Sequence, residues 1–443
     1  MNTPIFDFVQ NYKRDENIRL HMPGHKGVGV LGVENIDITE VDGADVLYSA
    51  SGIIEESQNN AARLFSTEMT LYSCEGSSLC IRAMLYLATL SKKSRKILAS
   101  RNAHKAFLSA CALLDIDVEW LSRDSFSGVI SQDITSDMLK DKLAAMEILP
   151  AAVYITCPDY LGNMLDIKAL SEICHNFGVL LLVDNAHGAY LNFLCESKHP
   201  IALGADMCCD SAHKTLPVLT GGAYLHMAGG LSESVYRNAK RAMALFASTS
   251  PSYLILQSLD MANKYMATSF KSELNSCVSR VRELKNHIEN MGFEICGDEE
   301  IKITVSPKSY GYLGVELYEI LKESKIMCEF ADSDYLVMMF TPSICDSDYE
   351  KIKAAFSRIE KRKPICSRAP EMKLPRRAMS IREATMSDFS LIDAKDSCGR
   401  ILASECVSCP PAVPILACGE IIDHDAIKLF EYYGIDKLKI VEN

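Results

Sequence analysis

Short apolar runs alternate with amphipathic stretches along the chain from about residue 68. The runs that predict β-strands are 69–74, 96–100, 117–121 and 151–157. Helical spacing of apolar residues follows the first run from Ser77 and the second run from His104. Because strands and helices alternate in this way, the pattern predicts an α/β domain with layers of helices on a mostly parallel sheet.

The segment after residue 165 shows the alternation most clearly. Asp166 begins a predicted helix with apolar residues on one face, and Gly178 ends it. The run VLLLVDN (179–185) follows at once and is apolar at consecutive positions. A strand that is apolar on both faces is typical of the centre of a parallel sheet.

The same pattern suggests five successive regions. Gly and Pro interrupt the first residues (HMPGHKGVGVLG, 21–32), so we expect an irregular N-terminal arm, and a basic, proline-containing stretch near residue 370 is typical of a linker. The predicted regions are an arm (1–35), a large α/β domain (36–265), a smaller α/β domain (266–360), a linker (361–377) and a small C-terminal domain (378–443).

Charge and hydropathy limit the partners of the chain. The formal net charge is -12, which disfavours nucleic acid and anionic membranes as partners. No run approaches the roughly 18 consecutive apolar residues of a membrane span. The first residues, interrupted by Asp7 and Gln10, lack the apolar core of a signal peptide. We therefore expect a cytoplasmic protein that binds neither nucleic acid nor membrane.

The 17 cysteines are odd in number and scattered from Cys74 onward, many within apolar runs. Reduced cysteine packs as a small apolar side chain, so we expect no disulfide framework. Cys398, Cys406, Cys409 and Cys418 include a single CxxC pair, whereas structural zinc sites usually present two close pairs. We expect no metal, with a zinc site at this cluster as the alternative.

Two residues carry the candidate chemistry. Asp184 ends the central strand, where ligands bind in open α/β sheets, and Lys214 follows a later apolar run in SAHKT (211–215). A lysine that forms a Schiff base and a carboxylate that keeps a pyridine nitrogen protonated are what pyridoxal phosphate requires. Taken alone, Asp184 is equally compatible with a helix cap or a metal ligand, and Lys214 with an exposed position.

A phosphate group needs donors, and two segments supply candidates. Gly76, Ser77 and Ser78 follow a strand and open a helix, whose free amides attract anions. Ser211 and His213 come just before Lys214 and could add donors. The alternative for the first segment is a simple helix cap. His104, at the start of another helix, could stack on a cofactor ring or could serve as a cap.

With these residues assembled, the chain resembles the Orn/Lys/Arg decarboxylase family of fold type I (aspartate aminotransferase-like) pyridoxal-phosphate enzymes, in its shorter bacterial branch. The likeness covers nearly the whole chain, and its motifs include HMPGHKG (21–27), RNAHKA (101–106), VDNAHG (183–188), SAHKT and STSPSY (248–253). The resemblance implies a large pyridoxal-phosphate-binding domain, a smaller domain and a C-terminal domain that carries Glu420 near the substrate entrance.

The resemblance also implies roles. Lys214 would be the Schiff-base lysine and Asp184 the partner of the pyridine nitrogen; His104 would stack on the ring. Family members build the site at a dimer interface, so a homodimer or larger homo-oligomer is implied. The cofactor-binding residues that it implies are Gly76, Ser77, Ser78, His104, Asp184, His187, Ser211, His213, Lys214, Ser248 and Thr249, the last two reaching the phosphate in the second subunit.

The implied activity is decarboxylation of a basic amino acid in polyamine biosynthesis, with arginine favoured over lysine and ornithine. Asp45, Asp159 and Glu420 are candidate partners for the substrate cation. The chain departs from the family pattern at Asn185, Asp159, Ala412 and Cys418, which leaves the substrate open. The alternatives are another fold type I enzyme, namely an aminotransferase or a carbon–sulfur lyase, and a non-catalytic paralogue that binds an amino acid or polyamine.

Overall fold

The computed structural model describes residues 1–122, 125–127, 134–404, 406–409 and 413–442, and of residues 125–127, 406–409 and 413 only the backbone. The α-helices are α1 (Pro4–Arg14), α2 (Ile53–Phe65), α3 (Gly76–Lys92), α4 (Lys105–Leu114), α5 (Ser136–Ala144), α6 (Ile167–Asn176), α7 (Ala212–Thr215), α8 (Glu233–Phe246), α9 (Tyr253–Met266), α10 (Phe270–Asn290), α11 (Gly314–Glu323), α12 (Asp346–Phe356), α13 (Ile381–Met386) and α14 (His424–Tyr432).

The β-strands are β1 (Met69–Ser73), β2 (Lys96–Ser100), β3 (Asp117–Leu121), β4 (Ser125–Ser127), β5 (Ala152–Thr156), β6 (Leu180–Asp184), β7 (Met207–Asp210), β8 (Ala223–Met227), β9 (Glu294–Cys296), β10 (Lys302–Ser306), β11 (Phe330–Ala331), β12 (Leu336–Met339), β13 (Glu371–Lys373), β14 (Phe389–Asp393), β15 (Cys406–Cys409), β16 (Val413–Ala417) and β17 (Lys437–Val441). The predicted strands are confirmed as β1, β2, β3, β5 and β6, each within about a residue of its expected ends.

Contacts between residues group the chain into two compact units. The first comprises Met1–Ser94, Leu149–Tyr154 and Ile167–Ser272, and the second comprises Arg95–Ile148, Ile155–Asp166 and Glu273–Asn443. Strand β5 belongs to both, because its last two residues lie in the second unit. The five regions predicted from the sequence stay a prediction.

In the first unit the strands lie in the order β1-β8-β7-β6-β5. Strands β6 and β7 are parallel, with Asp184 beside Cys209, whereas β8 runs antiparallel to both β1 and β7. Helix α3 packs against β7, β8 and α8. Because β6 and β7 are parallel, Asp184 and the segment that leads to Lys214 leave the sheet at the same edge.

In the second unit the order β5-β2-β3 continues with parallel pairing of β2 and β3. A separate antiparallel sheet has the order β11-β12-β10-β9, and β14 pairs with β17. Buried side chains from Phe330 to Ile440 form a common core. The predicted fold class, a mostly parallel sheet with helices and a smaller α+β part, is confirmed.

The prediction of a wholly irregular N-terminal arm is wrong for its first residues. Helix α1 begins at Pro4, a residue that fits the first turn because it needs no hydrogen-bond donor there. Ile5 and Val9, four residues apart, are fully buried, and the helix packs on α2 and α9. Residues 15–35 have turns and no helix or strand, as Gly and Pro led us to expect.

Two expectations about the surface and the thiols can be compared with the structure. No helix in the described ranges is both long enough and apolar enough to cross a lipid bilayer. Every cysteine whose side chain is described carries a free thiol, including Cys398 and the buried Cys418. The side chains of Cys406 and Cys409, and the whole of Ala412, lie outside the described residues.

Candidate active site

Lys214 lies in the short helix α7, which directly follows β7. Its Nζ is 3.0 Å from Nε2 of His187, a buried residue three positions after the end of β6. The lysine itself is half-buried. The two strand ends therefore bring a lysine amine and an imidazole into direct contact, as expected for two residues of one site.

Asp184 ends β6 with only 2% of its surface exposed. Its Oδ2 accepts a hydrogen bond from the Tyr154 hydroxyl at 3.1 Å, and its Oδ1 accepts from the Ala186 amide at 3.2 Å and from the Cys209 thiol at 3.5 Å. These neutral donors hold the carboxylate in one orientation. A buried, oriented carboxylate is what a pyridine nitrogen needs if it is to remain protonated.

The turn between β1 and α3 forms the candidate phosphate cradle. The Ser73 hydroxyl shapes it, since it accepts from the Glu75 amide and donates to the Gly76 carbonyl. Gly76 has a φ of +70°, and a side chain there would extend into open space. The Gly76 amide donates to the Gly221 carbonyl at 2.7 Å. The amides that follow it in the first turn of α3 have no acceptor within the helix, so they can bind an anion.

Ser211 joins this cradle. Its hydroxyl donates to the Ser77 hydroxyl at 2.9 Å, and both residues are buried. The predicted phosphate-binding groups from β1–α3 and from the lysine segment are therefore adjacent. Ser78 lies beside Ser77 in the first turn of α3 and is half-buried.

The His213 ring is held by a hydrogen bond to the backbone of Gly222. Its Nδ1 lies 3.0 Å from the Gly222 carbonyl oxygen, which assigns the proton to Nδ1. Burial lowers the pKa of His213, and the adjacent Lys214 charge lowers it further, against the effect of the Gly222 bond. Its Nε2 therefore carries a lone pair and would donate to a phosphate only once the ring gained a proton.

His104 belongs to the second unit. Its Nδ1 accepts from the Ala106 amide at 3.1 Å and caps α4, so the capping alternative is realised in the structure. This bond fixes the plane of the imidazole, and the ring is half-buried. Stacking of His104 on a cofactor stays a prediction.

Ser248 and Thr249 are exposed. The Ser248 amide donates to Oε1 of Glu75, which lies in the turn between β1 and α3, at 2.7 Å. The predicted contact of these residues with the phosphate in a second subunit stays a prediction.

The three candidate carboxylates for the substrate cation all have partners in the protein. Asp45 accepts from several amides around the start of α2, and Asp159 accepts from both the backbone and the side chain of Asn163. Glu420 accepts from Arg101 with both oxygens. Glu420 therefore already neutralises a buried cation that belongs to the protein.

Several residues of the site region were missed in the sequence. Tyr154 lies within an apolar run, where a tyrosine is usually interpreted as a core residue. Arg101 lies within the RNAHKA motif but was assigned no role. Asp210 directly precedes the SAHKT motif but was not predicted to have a role, because its neighbours Asn185, His199 and His226 are distant in sequence. Only Asn185, noted as a departure from the family pattern, was a usable signal.

Comparison with known protein families agrees with the geometry of this site. The sequence model for "Orn/Lys/Arg decarboxylase, major domain" matches residues 3–308. The chain therefore belongs to the Orn/Lys/Arg decarboxylase family, a family of pyridoxal-phosphate-dependent enzymes, and the predicted resemblance and cofactor are confirmed.

Individual relatives are similar along nearly their whole length. Arginine decarboxylase of Bacillus subtilis (strain 168) is 29% identical, over 96% of this chain and 92% of that protein. Arginine decarboxylase of Halalkalibacterium halodurans is 28% identical, over 95% and 91%. The structure of Francisella novicida lysine decarboxylase LdcF has a TM-score of 0.80 at 15% identity, covering 99% of this chain and 81% of that chain, and so shares the fold.

The residues present fit pyridoxal phosphate. Lys214 supplies a lysine amine, Asp184 a buried carboxylate, and the turn around Gly76 an anion site. All three lie in the first unit, at the ends of β1, β6 and β7 of one sheet, in which β6 and β7 are neighbours. This donor set matches an aldehyde, a pyridine nitrogen and a phosphate, respectively.

Proposed function

We propose that this decarboxylase acts on arginine, with lysine and ornithine as alternative substrates, and that the first unit supplies its cofactor site. The observation that carries the proposal is the contact of Lys214 with His187, which lies three residues after the buried carboxylate of Asp184. Arginine is favoured because the relatives that match over nearly the whole chain are named arginine decarboxylases.

When bound, pyridoxal phosphate supplies a ring that accepts the electron pair released as the substrate carboxylate leaves as CO2. Lys214 would hold the cofactor covalently, and His187 would orient the lysine amine at 3.0 Å. Asp184, held by Tyr154, would keep its negative charge directed at the ring nitrogen and retain a proton there.

The phosphate would lie at the start of α3. The first-turn amides after Gly76, together with the hydroxyls of Ser77, Ser78 and Ser211, would donate to its oxygens. His213 would join them in its protonated form, which the nearby phosphate charge would favour. His104 would cover one face of the ring.

Two further parts of the proposal concern the setting of the enzyme. We place it in the cytoplasm, in agreement with its free thiols, and in polyamine biosynthesis. We also propose a homodimer in which Ser248 and Thr249, exposed in the single chain, contribute to the phosphate site of the second subunit.

A substrate panel tests the function. Purified holoenzyme is incubated with arginine, lysine and ornithine, and the amine and CO2 are quantified by mass against keto acid. We expect one amine per CO2, fastest with arginine, and none from a Lys214→Ala variant. Keto acid without CO2 would favour an aminotransferase or a lyase, and no turnover with any of the three substrates would favour a non-catalytic paralogue.

A further inference from the structure

Asp210 is a fully buried carboxylate that the proposed chemistry does not use. It ends β7, four residues before Lys214, and 0% of its surface is exposed. Its Oδ1 accepts from Asn185 Nδ2 at 2.7 Å, and its Oδ2 lies 3.1 Å from His199 Nε2 and 3.3 Å from His226 Nε2. Three donors therefore surround one carboxylate.

This carboxylate is ionised. Burial raises the pKa of Asp210, but His199 and His226 lower it by more, and the net pKa is well below the usual range of an aspartate. Burial lowers the pKa of His226, which is therefore neutral near pH 7. The Thr70 hydroxyl lies 2.8 Å from His226 Nδ1 and can donate to it, which places the ring proton on Nε2, 3.3 Å from Asp210 Oδ2.

A metal site at this position is the competing interpretation. Cys208 Sγ lies 3.8 Å from His199 Nε2, so thiol, imidazole and carboxylate meet here. Both oxygens of Asp210 already have a hydrogen-bond partner, Asn185 at Oδ1 and His199 at Oδ2, and His226 Nε2 lies a further 3.3 Å from Oδ2. We therefore interpret the group as a hydrogen-bonded carboxylate.

The position of the carboxylate relates it to the cofactor residues. Side chains alternate between the two faces of a strand, so Cys209 and Asp210 point to opposite faces. Cys209 contacts Asp184 at 3.5 Å, whereas Asp210 contacts Asn185, the residue after Asp184. On the face of the sheet opposite to Cys209, the Asn185–Asp210 hydrogen bond thus joins the segment that carries Asp184 to the segment that leads to Lys214.

We propose that Asp210 is a positioning residue, which through Asn185 fixes the distance between the Asp184 and Lys214 segments; this inference rests on the proposed function. The two side chains are complementary because the Asn185 amide donates to an anion. A carboxylate at position 185 would instead face Asp210 with a like charge. His199 supplies a second hydrogen bond to this buried anion, and the His226 ring lies 3.3 Å from it.

Three variants test the positioning role of the Asn185–Asp210 hydrogen bond. Asp210→Asn removes the acceptor charge, Asn185→Ala removes only the donor, and the exchange N185D/D210N restores a hydrogen bond of reversed direction. We expect each single variant to lower kcat by about tenfold or more, with KM changed by less than about threefold, because misplacement by a fraction of an ångström disturbs the reacting geometry. The exchange variant should recover most of the loss.

A second readout does not depend on turnover. The absorbance of the cofactor in the holoenzyme is titrated with pH in each variant, because its midpoint depends on how Asp184 and Lys214 face the ring. We expect the midpoint to move by about half a pH unit or more in the single variants and to return in the exchange variant.

Asp206 offers a matched control at the other end of the same strands. Its Oδ2 accepts from the Leu181 amide at 2.7 Å and lies 3.2 Å from His175 Nε2. Asp206→Asn should lower the thermal midpoint while leaving kcat and the absorbance titration as in the parent enzyme.

The proposal is overturned if the single variants keep kcat and the absorbance midpoint of the parent, or if Asp206→Asn changes both as much as they do. If Asp210→Asn does not fold, Asn185→Ala decides alone. If the parent enzyme decarboxylates none of the basic amino acids, the proposed function fails. The absorbance titration still tests the positioning role of the Asn185–Asp210 hydrogen bond in that case.

Discussion

Arg101 and Glu420 form a buried ion pair across 319 positions of the sequence. The Arg101 Nη1 donates to Glu420 Oε1 at 2.7 Å and its Nη2 to Oε2 at 2.6 Å, with 1% and 2% of the side chains exposed. Arg101 lies three residues before His104, so a carboxylate near the end of the chain fixes the segment that leads to a predicted cofactor residue.

Breaking this pair should destabilise the protein strongly. Arg101→Met leaves Glu420 buried without its cation, and we expect a loss of about 3–5 kcal/mol in the free energy of unfolding. The double variant Arg101→Met with Glu420→Leu should be more stable than the single variant, because no uncompensated charge remains. Denaturant unfolding measures all three proteins. Arg95→Ala, which removes an exposed pair with Asp115, serves as control and should cost about 1 kcal/mol or less. A double variant no more stable than Arg101→Met would contradict the coupling.

Lys214→Ala should abolish covalent attachment of the cofactor. The amine is the only group proposed to form the imine, so we expect activity to fall by about a thousandfold or more. Borohydride reduction followed by peptide mass analysis should place the cofactor on the Lys214 peptide in the parent and on none in the variant. Lys92→Ala, which removes an exposed lysine bonded to the Gly178 carbonyl, should leave labelling and activity unchanged. Labelling of another lysine in the parent would refute the assignment.

Tyr154→Phe should weaken catalysis without loss of the cofactor. The variant removes the hydroxyl that donates to Asp184 Oδ2 at 3.1 Å and leaves the ring in place. We expect kcat to fall by about tenfold, because the carboxylate loses part of its orientation. Asp184→Asn, which removes the charge itself, should cost considerably more. The comparison uses kcat together with the cofactor absorbance. Equal activity of Tyr154→Phe and the parent would show that the hydroxyl does not position Asp184.

Asp260 should make stability depend on pH below neutrality. It accepts hydrogen bonds from Ser57 and from the first amides of α1, but burial raises its pKa to about 6, well above the usual value of an aspartate. Because the folded state holds this proton more tightly, the group contributes stability that is complete below about pH 4 and is lost as the pH rises through about 6.

Between pH 7 and pH 5, Asp260 should therefore add about 1 kcal/mol to the stability of the parent relative to Asp260→Asn. Thermal or denaturant unfolding of both proteins at the two pH values measures this difference. A difference of the opposite sign, or none, would contradict the raised pKa.

Much of the fold could be read from local patterns. The ends of β2 and β3 coincide with the predicted apolar runs at 96–100 and 117–121, because the signal for a strand is contained in consecutive residues. Helix α1 was missed because the Gly and Pro residues of 21–32 led to the whole of 1–35 being interpreted as one irregular arm. Its burial against α2 and α9, which the sequence does not display, stabilises the helix.

The sequence by itself determined the order of the elements, the family, and the succession of Gly76, Asp184 and Lys214, since strand, turn and helix signals are local and the motifs retain their spacing. Only the tertiary structure decided which carboxylates already have partners. Glu420 and Asp210 meet cations and donors that are far away in sequence but adjacent through packing and strand register. A hydrogen bond depends on that register, which no single stretch of sequence contains.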